Sequence, residues 1–402
     1  MVSRLKISLP AMGFCMAVIG MLAGGFLVTP TPARAALPDS INVAVVVPLS
    51  GGLAAAGQKI QKGLDQYVAG INAGGGIGGK TKINVIYGDS KLNPTEGAVV
   101  TQRIINRNKI GLYIGNFSSS VSLATQPILA RAGIIQATFS YAPSLTRKGI
   151  RSTVRVGPYS RIEMVPMAKY AVENRGARRF AALALNNDWG RDMVAEFKAA
   201  AKKFNSSVEF VSEDYYRWGT KDFSSYLTKI KSLGVDGLVL MNFEPSAVQI
   251  TKQFKDLGMK TQIFGSDLYA GGDYGKATAG RNEGIIFTDF WWRSAKGAPS
   301  YIQKYYRDYR GKYGEDPDSL SIWGRLGMEI FVQAAESVNS IERDAILTEI
   351  LRGRTFNTVI GRIQFASCGQ AMITNGVATW KGGRQVYLEK KGFGKEQVGY
   401  CD

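Results

Sequence analysis

The chain has 402 residues, 45% of them hydrophobic and 20% charged, long enough for two or three domains and too balanced for a disordered or fibrous protein. It carries 50 lysines and arginines against 32 acids, a net charge of +18. The basic residues are dispersed, with no run longer than a pair, which describes a solvated surface able to steer an anionic partner and no nucleic-acid stripe. There is no histidine, which excludes Ser-His-Asp and Cys-His catalysis, histidine-ligated zinc and the commonest general acid–base group.

Residues 1–35 read as a separate leader. Arg4 and Lys6 precede an apolar run over 11–28, and Ala33 with Ala35 forms the small-residue pattern of signal-peptide cleavage, expected after Ala35. An uncleaved anchor is the alternative, since the run is nearly long enough to span a bilayer. Gly24, Gly25, Pro30 and Pro32 favour cleavage, and Cys15 lies too far from the cleavage site for lipid attachment. Without the leader the net charge falls to about +15. The mature chain reads as exported and soluble, with no metal and no cofactor.

Residues 41–47 (INVAVVV) form a β-branched apolar run, read as a buried strand. Apolar spacing predicts a helix over 57–72 and a strand over 83–87. Asn93, Pro94 and Glu96 supply an N-cap, a first-position proline and a capping-box glutamate for a helix to about 107. Strand 112–115, helix 119–131 and strand 134–137 follow, then a turn-rich stretch. The series restarts with helix 162–174, strand 180–185, helix 188–204, strand 208–211 and helix 221–233. Strand 238–241, helix 245–257 and strands 262–265 and 285–289 come next. Helices over 299–313, 318–338 and 343–351 lead to short strands with glycine turns from 362 onward. Such alternation is an α/β pattern of parallel sheets covered on both faces. Its length and the break near Thr153 ask for two doubly wound parallel-sheet lobes facing each other across a cleft.

The stretch GGGIGGKT, residues 74–81, matches both the phosphate-binding G-x-x-x-x-G-K-T and the dinucleotide G-x-G-x-x-G patterns. In both, a strand enters the loop and a helix leaves it, so free helix N–H groups meet the phosphates. Here a helix enters and a strand leaves, so the stretch reads as a helix C-cap and tight turn. Two cysteines remain in the mature chain, Cys368 and Cys401. An exported compartment permits a disulfide between them, two free thiols being the alternative.

The opening of the mature chain combines P-L-S-G at Pro48, I-N-A-G-G-x-x-G at Ile71 and an acidic strand end at Asp89. With LYIGNFSSSVSLATQPI and WGTKDFSSYLTKIKSLGVDGLVL further on, it resembles the leucine/isoleucine/valine-type periplasmic binding proteins, the ligand receptors of ABC importers. The resemblance runs from about Ile41 to Leu388. It implies the type I periplasmic binding protein fold, a hinge and three crossovers, near Thr153, Ile285 and Thr358. The lobes are then 36–153 plus 286–358, and 154–285 plus 359–402. It also implies a monomeric periplasmic receptor, not an enzyme, that closes over a small ligand and delivers it to the membrane subunits of an ABC permease.

Carried over position by position, the family's carboxylate-binding serine falls on Ser119, with Phe117 and Ser118 before it. A strand followed by a helix supplies free N–H groups there, an anion site without lysine; a plain N-cap cluster has the same sequence. Further ligand contacts fall on Phe139 and Tyr141, and the aromatics over the ligand on Trp189 and Phe243, each of which also reads as core. The partner of the ligand's ammonium falls on Asp267, which alternatively reads as a helix N-cap. The chain departs from the family where small residues and threonine are usual at 139 and 141, where glutamate is frequent at 267, and where a tyrosine is common near Ala56. A serine opposite an acid fits a zwitterionic, hydrophobic or branched-chain-type amino acid. The heavier aromatic lining fits an aromatic carboxylate or amide, and a ligand sensor would share the fold.

Overall fold

The computed structural model describes residues 37–147, 149–289, 299–373, 375–389 and 401; the expected signal peptide lies outside the described residues. The first β/α series comprises β1 (Ser40–Val47), α1 (Ala54–Ala73), β2 (Lys82–Asp89), α2 (Pro94–Arg107), β3 (Ile110–Ile114), α3 (Ser119–Arg131), β4 (Ile135–Thr138), α4 (Ser144–Arg147) and β5 (Thr153–Arg155). Its strands form a parallel five-stranded sheet in the order β2-β1-β3-β4-β5. Val43 to Val47 are buried on both faces of β1, which is why that strand is a continuous apolar run. Asn93 caps α2 by accepting from the N–H groups of Thr95 and Glu96 at 2.9 and 3.1 Å. Glu96 does not close the expected capping box; it faces Lys91 at 3.7 Å.

The second series comprises α5 (Ser160–Lys169), β6 (Arg179–Leu185), α6 (Asp188–Phe204), β7 (Glu209–Tyr216), α7 (Ser224–Ser232), β8 (Gly237–Met241), α8 (Glu244–Asp256), β9 (Gln262–Gly265), α9 (Gly272–Ala277) and β10 (Ile286–Asp289). After it come α10 (Ser300–Tyr313), α11 (Ser319–Val338), α12 (Arg343–Leu351), β11 (Phe356–Thr358), β12 (Gly361–Phe365), β13 (Ala371–Met372), β14 (Gly376–Lys381) and β15 (Arg384–Glu389). The seven-stranded sheet runs β15-β14-β10-β9-β8-β6-β7, with β14 and β15 antiparallel at one edge. Its parallel part, β7-β6-β8-β9-β10, repeats the winding order of the first sheet. No repeat shows in the sequence, because many apolar strings satisfy one winding.

Sheet membership moves each expected crossover toward the C-terminus. β5 still pairs with β4 through Arg155, so the first crossing follows Arg155 and not Thr153. β10 pairs with β9 and β14, so the chain is still in the second sheet at Asp289, beyond the boundary expected at 285. Residues 356–372 form a small separate sheet that touches the first one through the Arg155–Gln370 bridge. The chain rejoins the second sheet only at Gly376, whereas the third crossing was expected near Thr358. Boundaries of this kind rest on pairing partners, which local composition does not encode.

Two local features bear out the reading of the chain. The glycine stretch follows the end of α1 and turns into β2 through an Ile77–Thr81 bridge. Gly76 sits at φ +100°, where a Cβ would lie 2.3 Å from the Thr81 carbonyl oxygen, so this is a helix-to-strand turn. Cys368 and Cys401 form a disulfide with Cα atoms 5.7 Å apart. Closing a separation of 33 residues constrains the unfolded chain by about 3–4 kcal/mol.

Candidate functional site

The expected ligand-binding residues follow the carboxyl ends of parallel strands, where open α/β sheets bind ligands. Ser119 follows β3, Phe139 and Tyr141 follow β4, Trp189 follows β6, Phe243 follows β8 and Asp267 follows β9. The two sheets bring these ends together. Phe117 and Phe243 approach to 5.2 Å between ring centroids, and Tyr141 meets Trp189 edge-on at 6.4 Å. Trp189 stacks on Phe243 at 4.9 Å with 13° between planes. Phe139 stands apart: it is buried with its backbone and Cβ against Gly157 and joins none of these rings. Among the described residues it behaves as core.

Ser118 is the N-cap of α3, yet its hydroxyl makes no capping bond. Ser119 is used differently. Its Oγ accepts the backbone N–H groups of Tyr141 and Ala142, both at 3.2 Å. With both lone pairs engaged, the hydroxyl has its proton left to donate. Beneath that loop Arg155 is fully buried; its guanidinium donates to the carbonyls of Tyr141, at 3.5 Å, and of Ala142. Burial lowers the Arg155 pKa to about 9. The peptide groups at 141–142 are thus held from both sides, by a serine and by an arginine. Next to Ser119, Ser120 Oγ donates to Asp188 Oδ2 at 2.5 Å, which joins the N-terminus of α3 to that of α6. Two positive helix poles converge there, a setting that favours an anion.

The opposite wall is acidic. Asp267 opens a short 3₁₀ turn whose cap is Ser266, so its carboxylate is not spent as the helix cap considered above. Asp267 is 2% exposed, and neither of its side-chain oxygens has a hydrogen-bond partner. Glu163, on the first turn of α5, is fully buried beside it. Glu163 Oε2 accepts from Thr288 Oγ1 at 2.8 Å and from the Asp267 N–H at 3.4 Å, whereas Oε1 has no partner. The Tyr141 hydroxyl reaches toward both acids without a hydrogen bond of ordinary geometry. Burial pushes Asp267 up to about 7, opposed by the neighbouring Glu163 and Tyr141 side chains. Burial, and then the nearby Asp267, raise Glu163 well above the carboxylate range. Burial and the two acids raise the Tyr141 phenol. Desolvation is the leading cause for all three.

Four of the contributors escaped the sequence. Glu163 looks like any acid in a first helical turn, and Asp188 like the acid after an N-cap. Trp218 lies in a loop between β7 and α7; it is 42% exposed and meets Phe243 edge-on at 5.8 Å. A Cβ on Gly52 would lie 3.1 Å from its indole, so Trp218 also touches the loop before α1. Only Arg155 had a signal, a charge inside the otherwise apolar strand TVRV.

Comparison with known proteins agrees with this architecture. A family model described as periplasmic binding protein matches residues 40–384. The chain is 27% identical over 338 residues to Leu/Ile/Val-binding protein homolog 2 of Brucella abortus, covering 83% of this chain and 88% of that one. A leucine binding protein from Thermotoga maritima superposes with a TM-score of 0.79 at 25% identity, covering 86% of this chain and 97% of the other. A solute binding protein from Rhodopseudomonas palustris, solved with benzoate, shares the fold with a TM-score of 0.80 at 20% identity, over 90% and 99% of the two chains. A match over so much of the length, on a fold of two doubly wound sheets with facing strand ends, shows that the chain belongs to the periplasmic binding protein family.

Proposed function

We propose that this protein is the extracytoplasmic receptor of an ABC importer and that it captures a hydrophobic α-amino acid between its two sheets. The observation that carries the reading is the placement of Tyr141. Its N–H donates to Ser119 Oγ in the anion site, and its phenol faces the unpartnered carboxylate of Asp267. One residue thereby links a donor suited to a carboxylate with an acceptor suited to an ammonium. Phe117, Trp189, Phe243 and Trp218 supply an apolar wall for the side chain. The ligand touches both sheets, favours the closed arrangement and is passed to the permease in that form. The names of the Brucella and Thermotoga relatives support a branched-chain amino acid.

The stacked Trp189–Phe243 pair favours one other reading, a ring-bearing carboxylate, which would leave Asp267 facing no cation. Mass spectrometry of small molecules released by denaturing the purified protein decides between them. An amino acid is expected; recovery of an aromatic acid, with no thermal stabilisation by any amino acid, would reject the first reading.

A further inference from the structure

We propose that Trp218 is a ligand-retaining residue that acts from one sheet against the other: its indole, seated on Gly52, closes the outer edge of the aromatic wall over the apolar part of the ligand and slows its release. The proposal rests on the reading above for where the ligand lies. Three rings of this wall step outward. Trp189 and Phe243 stack on each other and are 3% and 4% exposed. Trp218 is 42% exposed and meets Phe243 edge-on at 5.8 Å, with 71° between planes. It is the outermost ring of a row that begins in the buried centre of the site, where an apolar ring kept partly in water has a use.

Both sides of the contact are built for it. Trp218 stands at the corner of a tight turn in which Thr220 donates to the Arg217 carbonyl, from its N–H at 3.2 Å and from its hydroxyl at 2.8 Å. Gly219 follows at φ +90°, the backbone that such a turn gives to glycine. The turn leaves β7 directly after Tyr216, whose strand is paired with β6 to its end. Across from it, a Cβ on Gly52 would lie 3.1 Å from indole Cζ2 and 3.8 Å from Nε1. Gly51 has a φ of +77°, but Gly52 has a backbone that other residues adopt. What glycine supplies at 52 is therefore room for the ring. Residues 48–56, PLSGGLAAA, contain no aromatic, so the ring on this side comes from the second sheet. Asp89 holds that loop, accepting from the N–H groups of Leu49 and Ser50 at 2.8 and 3.3 Å and from the Ser50 hydroxyl. With the sheets apart, Phe243 still supports the indole and Gly52 no longer meets it.

Release of radiolabelled L-leucine from the full mature chain, chased with unlabelled L-leucine, tests the proposal. Trp218→Ala should raise the dissociation rate about tenfold and change the association rate by less than about twofold, because a contact completed after docking acts on escape. Trp218→Phe should stay within about threefold of the wild-type release rate, since a smaller ring still covers the edge. The ligand-free melting temperature should not move, the ring being partly in water already. A release rate of Trp218→Ala equal to wild type, or equal effects of the alanine and phenylalanine variants, overturns the proposal. Gly52→Leu probes the facing side: it should weaken binding in the wild-type background and less so beside Trp218→Ala, where the added side chain meets no indole. Additive losses overturn the contact. Wild-type protein that binds benzoate and no amino acid rejects the amino-acid reading alone, and the benzoate release rates then judge Trp218 by the same ratios. Binding of neither probe overturns both.

Discussion

A serine hydroxyl that already accepts two N–H bonds has one proton to give, and Ser119 is in that state. Ser119→Ala removes a donor to a charged group, a loss of about 1.5–3 kcal/mol. Calorimetry should therefore show a fall in amino-acid affinity of roughly 10–100-fold, and unchanged affinity would remove Ser119 from the site. Asp267 carries the opposite kind of strain. Its folded pKa is raised to about 7 from 3.8, so the stability linked to it is complete below pH 3.8 and is lost as pH rises through about 7. Asp267→Asn should abolish binding of an ammonium-bearing ligand yet stabilise the ligand-free protein at pH 8, by about 1–3 kcal/mol, with little change at pH 4. Denaturant melts at both pH values check this; equal destabilisation at both would contradict it. Residue positions were legible where a strand end and a helix start flank the residue, as at Ser119 and Asp267. Phe139 shows the limit, because an aromatic after a strand is written alike for core and for cleft.

Among the elements, α1 and α11 pack most intimately, and two glycines set their distance. A Cβ on Gly63 would lie 1.8 Å from the Ser321 carbonyl oxygen, and one on Gly324 2.1 Å from that of Ile60. Neither backbone can move aside without opening the helix pair, so Gly63→Ala should cost about 1–3 kcal/mol and leave the far-UV spectrum unchanged. A melting temperature equal to wild type would mean that the helices do not touch there. Elements themselves were the most legible layer. The helices over 188–204 and 343–351 and the strand over 262–265 occur with the bounds that periodicity and capping predict. Misplaced edges occur where pairing decides, as in β7, which extends from Glu209 to Tyr216 because β6 offers partners along that whole length.

At the scale of the molecule, the two sheets are tied across the cleft by polar contacts at separate places. Lys59 on α1 pairs with Asp273 on α9 and, at 2.9 Å, with Asp318 before α11, while Ser120 pairs with Asp188. These contacts hold the facing elements together. Asp188→Ala should leave the fold intact and weaken amino-acid binding by about three- to tenfold, in keeping with the modest worth of part-exposed polar pairs. Small-angle scattering should show the radius of gyration of wild type falling on ligand addition, and a higher ligand concentration needed for the same fall in the variant. No change in radius with saturating ligand would rule out hinge closure.

The sequence by itself determined the class of the fold, the order of its elements, the turn identity of the glycine stretch and the strand-end positions of Ser119, Trp189, Phe243 and Asp267. Those follow from periods, caps and chain order, which are local. Only the tertiary structure decided that the first sheet extends to Arg155 and that the second includes Asp289 and resumes at Gly376. It alone placed Arg155 beneath the 141–142 loop and Glu163 beside Asp267. The reason is distance along the chain: Glu163 and Asp267 lie 104 positions apart, and a charge becomes functional through what it is buried against.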